Sequence, residues 1–207
     1  TAGNTTYYYA NSNLSFTNAA AGGSGLTIQG TVYLYVPEGM TLTCTGADAS
    51  GQTGGGAGIE LTEGNTLYVV GSGTLNATGG NAANGGNGAN GGDSFLDYDN
   101  NKLYSGTGGT GGNGGGGAGA GIGTRGGNGG TGGTGGERHT REGSGSWDPA
   151  NGNNGIAGTA GTTAGAMGNL YVATSFVHLS ATEGQAGSNG TGGDSGKSAL
   201  WDGANNW

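Results

Sequence analysis

Three segments of the chain alternate apolar and polar residues over two short runs joined by turn residues. They are VYLYVPEGMTLTCTG (32–46), TLYVVGSGTLNATGG (66–80) and NLYVATSFVHLSATEG (169–184). Each contains Leu-Tyr-Val, then Leu-x-(Cys/Ala)-Thr. The first leucines are Leu34, Leu67 and Leu170, and the second are Leu42, Leu75 and Leu179. Their separations are eight, eight and nine residues, so the third copy has one extra residue, expected as a bulge. A period of two predicts strands with one buried face. Leu42 and Cys44, Leu75 and Ala77, and Leu179 and Ala181 are expected to point inward, with Thr43, Asn76 and Ser180 outward. Pro37-Glu38-Gly39 and Gly71-Ser72-Gly73 read as the turns between runs. Before the first two copies lies a third apolar piece, Leu26-Thr27-Ile28 and Gly58-Ile59-Glu60-Leu61. Three short strands per repeat predict an all-β protein built on a short parallel β-helix. About three coils are expected, over 26–45, 58–78 and 165–182, within a single domain 1–207 and with essentially no α-helix.

Between these repeats a different period takes over. GGNAANGGNGANGGD (79–93) places Asn or Asp at every third position, at Asn81, Asn84, Asn87, Asn90 and Asp93. Thr107, Thr110 and Asn113 continue it, as do Asn128, Thr131 and Thr134, each followed by two glycines. Gly152 to Gly161 and Gly184 to Gly196 also recur every third residue. Helices repeat at 3.6 and strands at 2, whereas the extended left-handed helix has three residues per turn and no internal hydrogen bonds. Its amides must pair with neighbouring segments, and close approach demands glycine on the contacting stripes. GGN and GGT supply two glycine stripes for neighbours and one polar stripe for water. A flanking polyglycine-II bundle is therefore expected over 46–57, 79–93, 105–136, 152–164 and 184–196. Fifteen such residues span about 45 Å at about 3.1 Å each.

Composition narrows the classes. The chain has 207 residues with 57 Gly and 2 Pro, which excludes collagen despite the period of three. Net charge is −8, and 5 Lys and Arg cannot neutralise a phosphate backbone, so nucleic acid is excluded as a partner. No apolar run approaches the length that spans a bilayer, so membrane insertion is not expected. No signal peptide is read, and a start at Thr1 is expected of a processed or excised segment. The lone Cys44 excludes an internal disulfide framework and takes the rung of Ala77 and Ala181, as a small core residue would. Low charge with abundant Thr, Asn and Gly points to an extracellular, cell-surface location.

The repeats resemble the coils of glycine-rich surface proteins of gut Firmicutes, which read approximately GTVTLxLPDGVTLxATG, then GNTLTVxGxGTLxATGG and GAGIG. Here the corresponding stretches are Gly30 to Leu42, Gly64 to Gly80 and Gly119 to Gly123, and the likeness covers roughly residues 26–124. It implies a β-helical coil and no particular site. The glycine triplets are similar to those of phage tail-tip adhesins and of springtail antifreeze proteins, both polyglycine-II bundles. The antifreeze proteins are cysteine-stapled, which this chain is not.

Catalysis needs convergent titratable groups, and the sequence offers no such set. No catalytic residue, cofactor or enzyme activity is expected. His178 lies between inward-facing positions and so faces out. His139 sits in the mixed-charge hexapeptide Glu137-Arg138-His139-Thr140-Arg141-Glu142, read as a solvated loop or a contact patch near Trp147. Asp97, Asp99 and Asn101 match the opening D-x-D-x-N of a calcium loop, but Lys102 stands where its glycine belongs and Gly108 where its terminal glutamate belongs. They are a calcium candidate against a plain turn. Tyr98, Tyr104 and Trp147, with His139, are candidate contacts for a glycan or cell-surface receptor. Tyr7, Tyr8, Tyr9, Phe16, Trp201 and Trp207 are read as caps over open coil ends or as assembly contacts.

Three functions compete: a filament subunit or surface-adhesin module that self-assembles or meets neighbouring domains, a tip adhesin, and an ice-binding protein using Thr107, Thr110, Thr131 and Thr134. The first is favoured because so few coils need neighbours to cover both ends.

Overall fold

The computed structural model describes residues 4–86, 88–89, 95–97, 102–104, 112–129, 164–173 and 178–188. Among them every regular element is a strand. In chain order these are β1 (Thr5–Tyr9), β2 (Leu14–Thr17), β3 (Leu26–Thr27), β4 (Thr31–Val36), β5 (Thr41–Thr45), β6 (Ile59–Glu60), β7 (Thr66–Gly71) and β8 (Thr74–Thr78). Then come β9 (Phe95–Asp97), β10 (Lys102–Tyr104), β11 (Ile122–Gly123), β12 (Asn169–Val172) and β13 (His178–Thr182).

The strands form three parallel sheets, ordered β1-β4-β7-β12, β2-β5-β8-β13 and β3-β6-β11, plus the antiparallel pair β9 and β10. Leaving that pair aside, the chain visits the three sheets in rotation, once per circuit. In the second sheet the aligned leucines pair, but in the first the register corrects the alignment of the first copy: Leu34 pairs with Val69, and Val32 takes the place expected of Leu34 opposite Leu67. Leu42 faces Leu75 and Leu75 faces Leu179, while Val32 faces Leu67 and Leu67 faces Leu170. The expected spacing of eight, eight and nine does not hold in this register: Leu34 to Thr41 is two residues longer than the paired Val69 to Thr74, and Val172 to His178 is one longer.

The strand order also corrects the expected count. Two sheets hold four strands each, not three, because Thr5–Tyr9 and Leu14–Thr17 make a further circuit ahead of the recognised repeats. Tyr7, Tyr8 and Tyr9 thus extend a sheet instead of capping it.

Alternation fills the interior. Leu42, Cys44, Leu75 and Ala77 are buried with Val32, Leu34, Val36, Leu67 and Val69 from the first sheet and Ile59 and Ile122 from the third. All belong to one apolar cluster. Between β4 and β5 the amide of Met40 donates to the carbonyl of Pro37 at 3.1 Å, closing a turn in which Gly39 takes φ +77°. Only glycine holds that angle without strain.

The glycine-rich segments bond differently from sheet strands. The Gly55 amide donates to Gly117 and the Gly55 carbonyl accepts from Gly126, both at 2.8 Å. Next along, Gly56 donates to Ala47 and accepts from Gly80, again at 2.8 Å. Two consecutive residues thereby bond four separate segments, which a sheet strand, with two edges, cannot do. A Cβ on Gly54, Gly56, Gly80, Gly116, Gly119 or Gly126 would collide with a neighbouring backbone carbonyl.

Contacts gather the chain into two compact units. The first, Thr1–Gly85 with Gly115–Gly130 and Ala160–Asn189, holds the three parallel sheets and these cross-bonded segments. The second includes the β9–β10 pair, in which Lys102 faces Asp97 and Tyr104 faces Phe95.

Candidate functional site

Position parity along β4 and β7 sends Leu34 and Val69 inward, so Tyr33 and Tyr68 stand on the outer face. Because register is kept through all four strands, Tyr7, Tyr33, Tyr68 and Tyr171 fall in one line. Their rings stack face to face. Tyr33 and Tyr68 lie 4.4 Å apart at 6°, Tyr68 and Tyr171 4.8 Å apart at 13°, and Tyr7 and Tyr33 5.0 Å apart at 16°. A shorter parallel stack joins Tyr9 to Tyr35 at 5.3 Å. These separations follow the spacing of neighbouring strands, about 4.8 Å. Partial desolvation, and then the phenols of Tyr33 and Tyr171 on either side, push the Tyr68 hydroxyl above its ordinary pKa.

Sequence reading singled out Tyr7 but missed Tyr33, Tyr68 and Tyr171, which it took only as members of the repeat. The Leu-Tyr-Val alignment lines up Tyr35 with Tyr68 and Tyr171, whereas the observed register brings Tyr33 to them, so only the strand pairing reveals the line.

The two ends of the stack form a second feature. In β1 and β2, Tyr8 shares a register position with buried Leu34, Leu14 with Leu42, and Phe16 with Cys44. All three occupy inward positions, yet Tyr8 is 58%, Phe16 38% and Leu14 37% exposed, because no described strand lies beyond. At the opposite end Val172 pairs with buried Val69 and is itself exposed, as is Met167 nearby. The outer edges of β1, β2, β12 and β13 have no strand partner among the described residues.

A third arrangement brackets the glycine segments. The Asn81 side-chain oxygen accepts from the Gln185 amide at 2.9 Å while Ala82 donates to the Gln185 carbonyl at 2.8 Å. Three residues on, Asn84 and Gly85 repeat both bonds with Ser188, at 2.9 and 2.8 Å. The polar stripe expected to face only water thus also occupies amides of the adjoining segment.

Other expectations find definite places. Cys44 is wholly buried, and burial pushes its thiol from 9.0 up to about 11, so it is held protonated and inert. His178 is exposed. Asp97 ends β9 and Tyr104 ends β10. Tyr98, Asp99, Asn101, His139, Trp147, Trp201, Trp207 and the threonines at 107, 110, 131 and 134 lie outside the described residues. The Glu60 carboxylate receives the Thr27 hydroxyl at 3.3 Å and Arg125 Nε at 3.4 Å, linking three successive circuits across the third sheet. Among the described residues no three His, Cys, Asp or Glu side chains gather in a set able to hold a metal.

Compared with protein-family models, with curated proteins and with solved structures, the chain matches none.

Proposed function

We propose that this chain is an extracellular structural module: a parallel β-helix of four coils flanked by a polyglycine-II bundle, stacking end to end with copies of itself into a surface filament. The β-helix reading rests on the rotation of the chain through three in-register parallel sheets around one core. The polyglycine-II reading rests on consecutive residues that together bond four neighbouring segments and on the paired bonds that recur three residues apart. The single observation carrying assembly is that inward-position apolar side chains are exposed at both ends, beside strand edges with no partner among the described residues.

The ends are also complementary in size. One inward rung runs Phe16, Cys44, Ala77, Ala181, bulky at one end and small at the other. Seating β1 and β2 of one copy on β12 and β13 of the next brings Phe16 onto Ala181 and Tyr7 onto Tyr171. Such a head-to-tail contact does not close on itself, so it yields a fibre. Low charge and abundant Thr, Asn and Gly favour the extracellular setting, and the role assigned is structural, without catalysis.

Sedimentation velocity over a concentration series tests assembly. Growing polymers are expected for the native chain and monomers for Phe16→Asp, whose exposed site leaves folding intact. Monodisperse native monomers at high concentration would refute it.

A second reading has its own observation. The outer face of β2-β5-β8-β13 carries the rung Thr17, Thr45, Thr78, Thr182 beside Ser15, Thr43, Asn76, Ser180. An array of Thr and Ser hydroxyls repeating at the strand spacing suits ice binding. Thermal hysteresis that disappears in Thr78→Tyr would favour it over the filament.

A further inference from the structure

The outward tyrosine stack stands outside the apolar core cluster. Tyr7 is 74% and Tyr171 52% exposed, and Tyr33 and Tyr68 are half-buried between them. Exposed phenols rarely hold one another this closely without a sheet to align them. Here four successive strands fix them in a row, with the closest pair 4.4 Å apart and nearly parallel. Bringing two reacting groups together in this way replaces a bimolecular encounter by an intramolecular one, with effective concentrations of about 10⁵ M or more for well-oriented pairs.

We propose that the line Tyr7, Tyr33, Tyr68, Tyr171 is a site of oxidative dityrosine cross-linking, driven by a haem peroxidase with hydrogen peroxide. Each of two neighbouring phenols gives up one electron and its hydroxyl proton, leaving a neutral phenoxyl radical with spin on its ortho carbons. The two radicals form one carbon–carbon bond between ortho Cε atoms. The hydrogen on each bonded carbon then moves to the oxygen, restoring both phenols. Two hydrogen atoms leave in all, and one peroxide is reduced to two waters. The product staples adjacent circuits covalently, across the same direction in which the parallel ladders already hold them. Tyr9 and Tyr35, at 5.3 Å, are a second, slower pair.

The site also deepens the filament reading, on which this part of the proposal rests. In head-to-tail stacking Tyr171 of one copy meets Tyr7 of the next, so oxidation would weld copies into covalent chains through that one pair.

The experiment treats the native chain, dilute and concentrated, with a haem peroxidase and peroxide, then maps linked peptides by mass spectrometry. In dilute solution the expected links are Tyr33–Tyr68 first, then Tyr68–Tyr171 and Tyr7–Tyr33, each two hydrogens lighter than its parts. Tyr68→Phe keeps the ring and its stacking, so the fold is retained. It should remove both links through position 68 and cut dityrosine fluorescence at least twofold. Links scattered over all tyrosines, or the same pattern from chain unfolded in denaturant, would overturn the proposal. At high concentration a Tyr7–Tyr171 link between copies is expected. Its absence while Tyr33–Tyr68 forms would overturn the end-to-end contact and leave the cross-linking site standing.

Discussion

Gly116 and Gly117 are neighbours in a run of four glycines, yet they differ in what an added methyl group would meet. On Gly116 a Cβ would collide with the carbonyl of Thr53, with the Gly54 nitrogen also 2.7 Å away. On Gly117 the nearest atoms, the nitrogen and oxygen of Gly127, are 3.5 Å off, an ordinary contact. Gly116→Ala must therefore push two backbones apart. The bonds at risk are Gly116 to Gly51 at 3.0 Å, Ala83 to Gly116 at 2.9 Å and Gly55 to Gly117 at 2.8 Å. Losing two of these at about 1 kcal/mol each, with overpacking of about 1–3 kcal/mol, gives a destabilisation of about 3–5 kcal/mol. That is a large share of the roughly 5–15 kcal/mol that holds a domain folded. Gly117→Ala meets no clash and restricts the unfolded chain, so it should be neutral or stabilise by up to about 1 kcal/mol. Urea unfolding gives the two free energies, and amide exchange reports whether residues 53–57 and 79–85 lose protection in the first variant alone. Equal effects of the two substitutions, or a neutral Gly116→Ala, would refute the close-packed arrangement.

Other consequences are more local. Leu75→Ala empties a fully buried rung and should cost about 2–5 kcal/mol, whereas Leu14→Ala, at the exposed end, should cost far less; thermal melts of both compare them. Asn84→Ala frees the Ser188 amide and should cost about 1 kcal/mol, read as faster exchange at that amide. The Cys44 thiol should resist alkylation at pH 8 until the chain is unfolded. Because folding raises its pKa from 9.0 to about 11, the stability it confers is complete below pH 9 and is lost as pH rises through 11. The slope in that window is about 1.4 kcal/mol per pH unit, measurable by urea unfolding at successive pH values.

What could be read in advance depended on whether local pattern or distant pairing carried the information. Leu42, Leu75 and Leu179 announced a stacked rung, because alternation and repeat spacing are written in consecutive residues. Tyr7 to Tyr9 were singled out, but not as part of a strand from Thr5 to Tyr9. Three adjacent tyrosines show no alternation, and that strand's inward face, at the end of the stack, never had to become aliphatic. The glycine period pointed to close-packed segments but not to which neighbours they bond. Asn81 holds Gln185, and no local signal joins positions 104 residues apart. The tyrosine line emerged only once register was known.

Helical reconstruction of assembled material by electron microscopy tests the central claim most directly. Four circuits at about 4.8 Å each give an expected axial rise of about 19 Å per subunit, with strand-spaced density running unbroken from one copy into the next. Fibres with a rise unrelated to the strand spacing, or a density gap between copies at β1 and β12, would contradict end-to-end stacking.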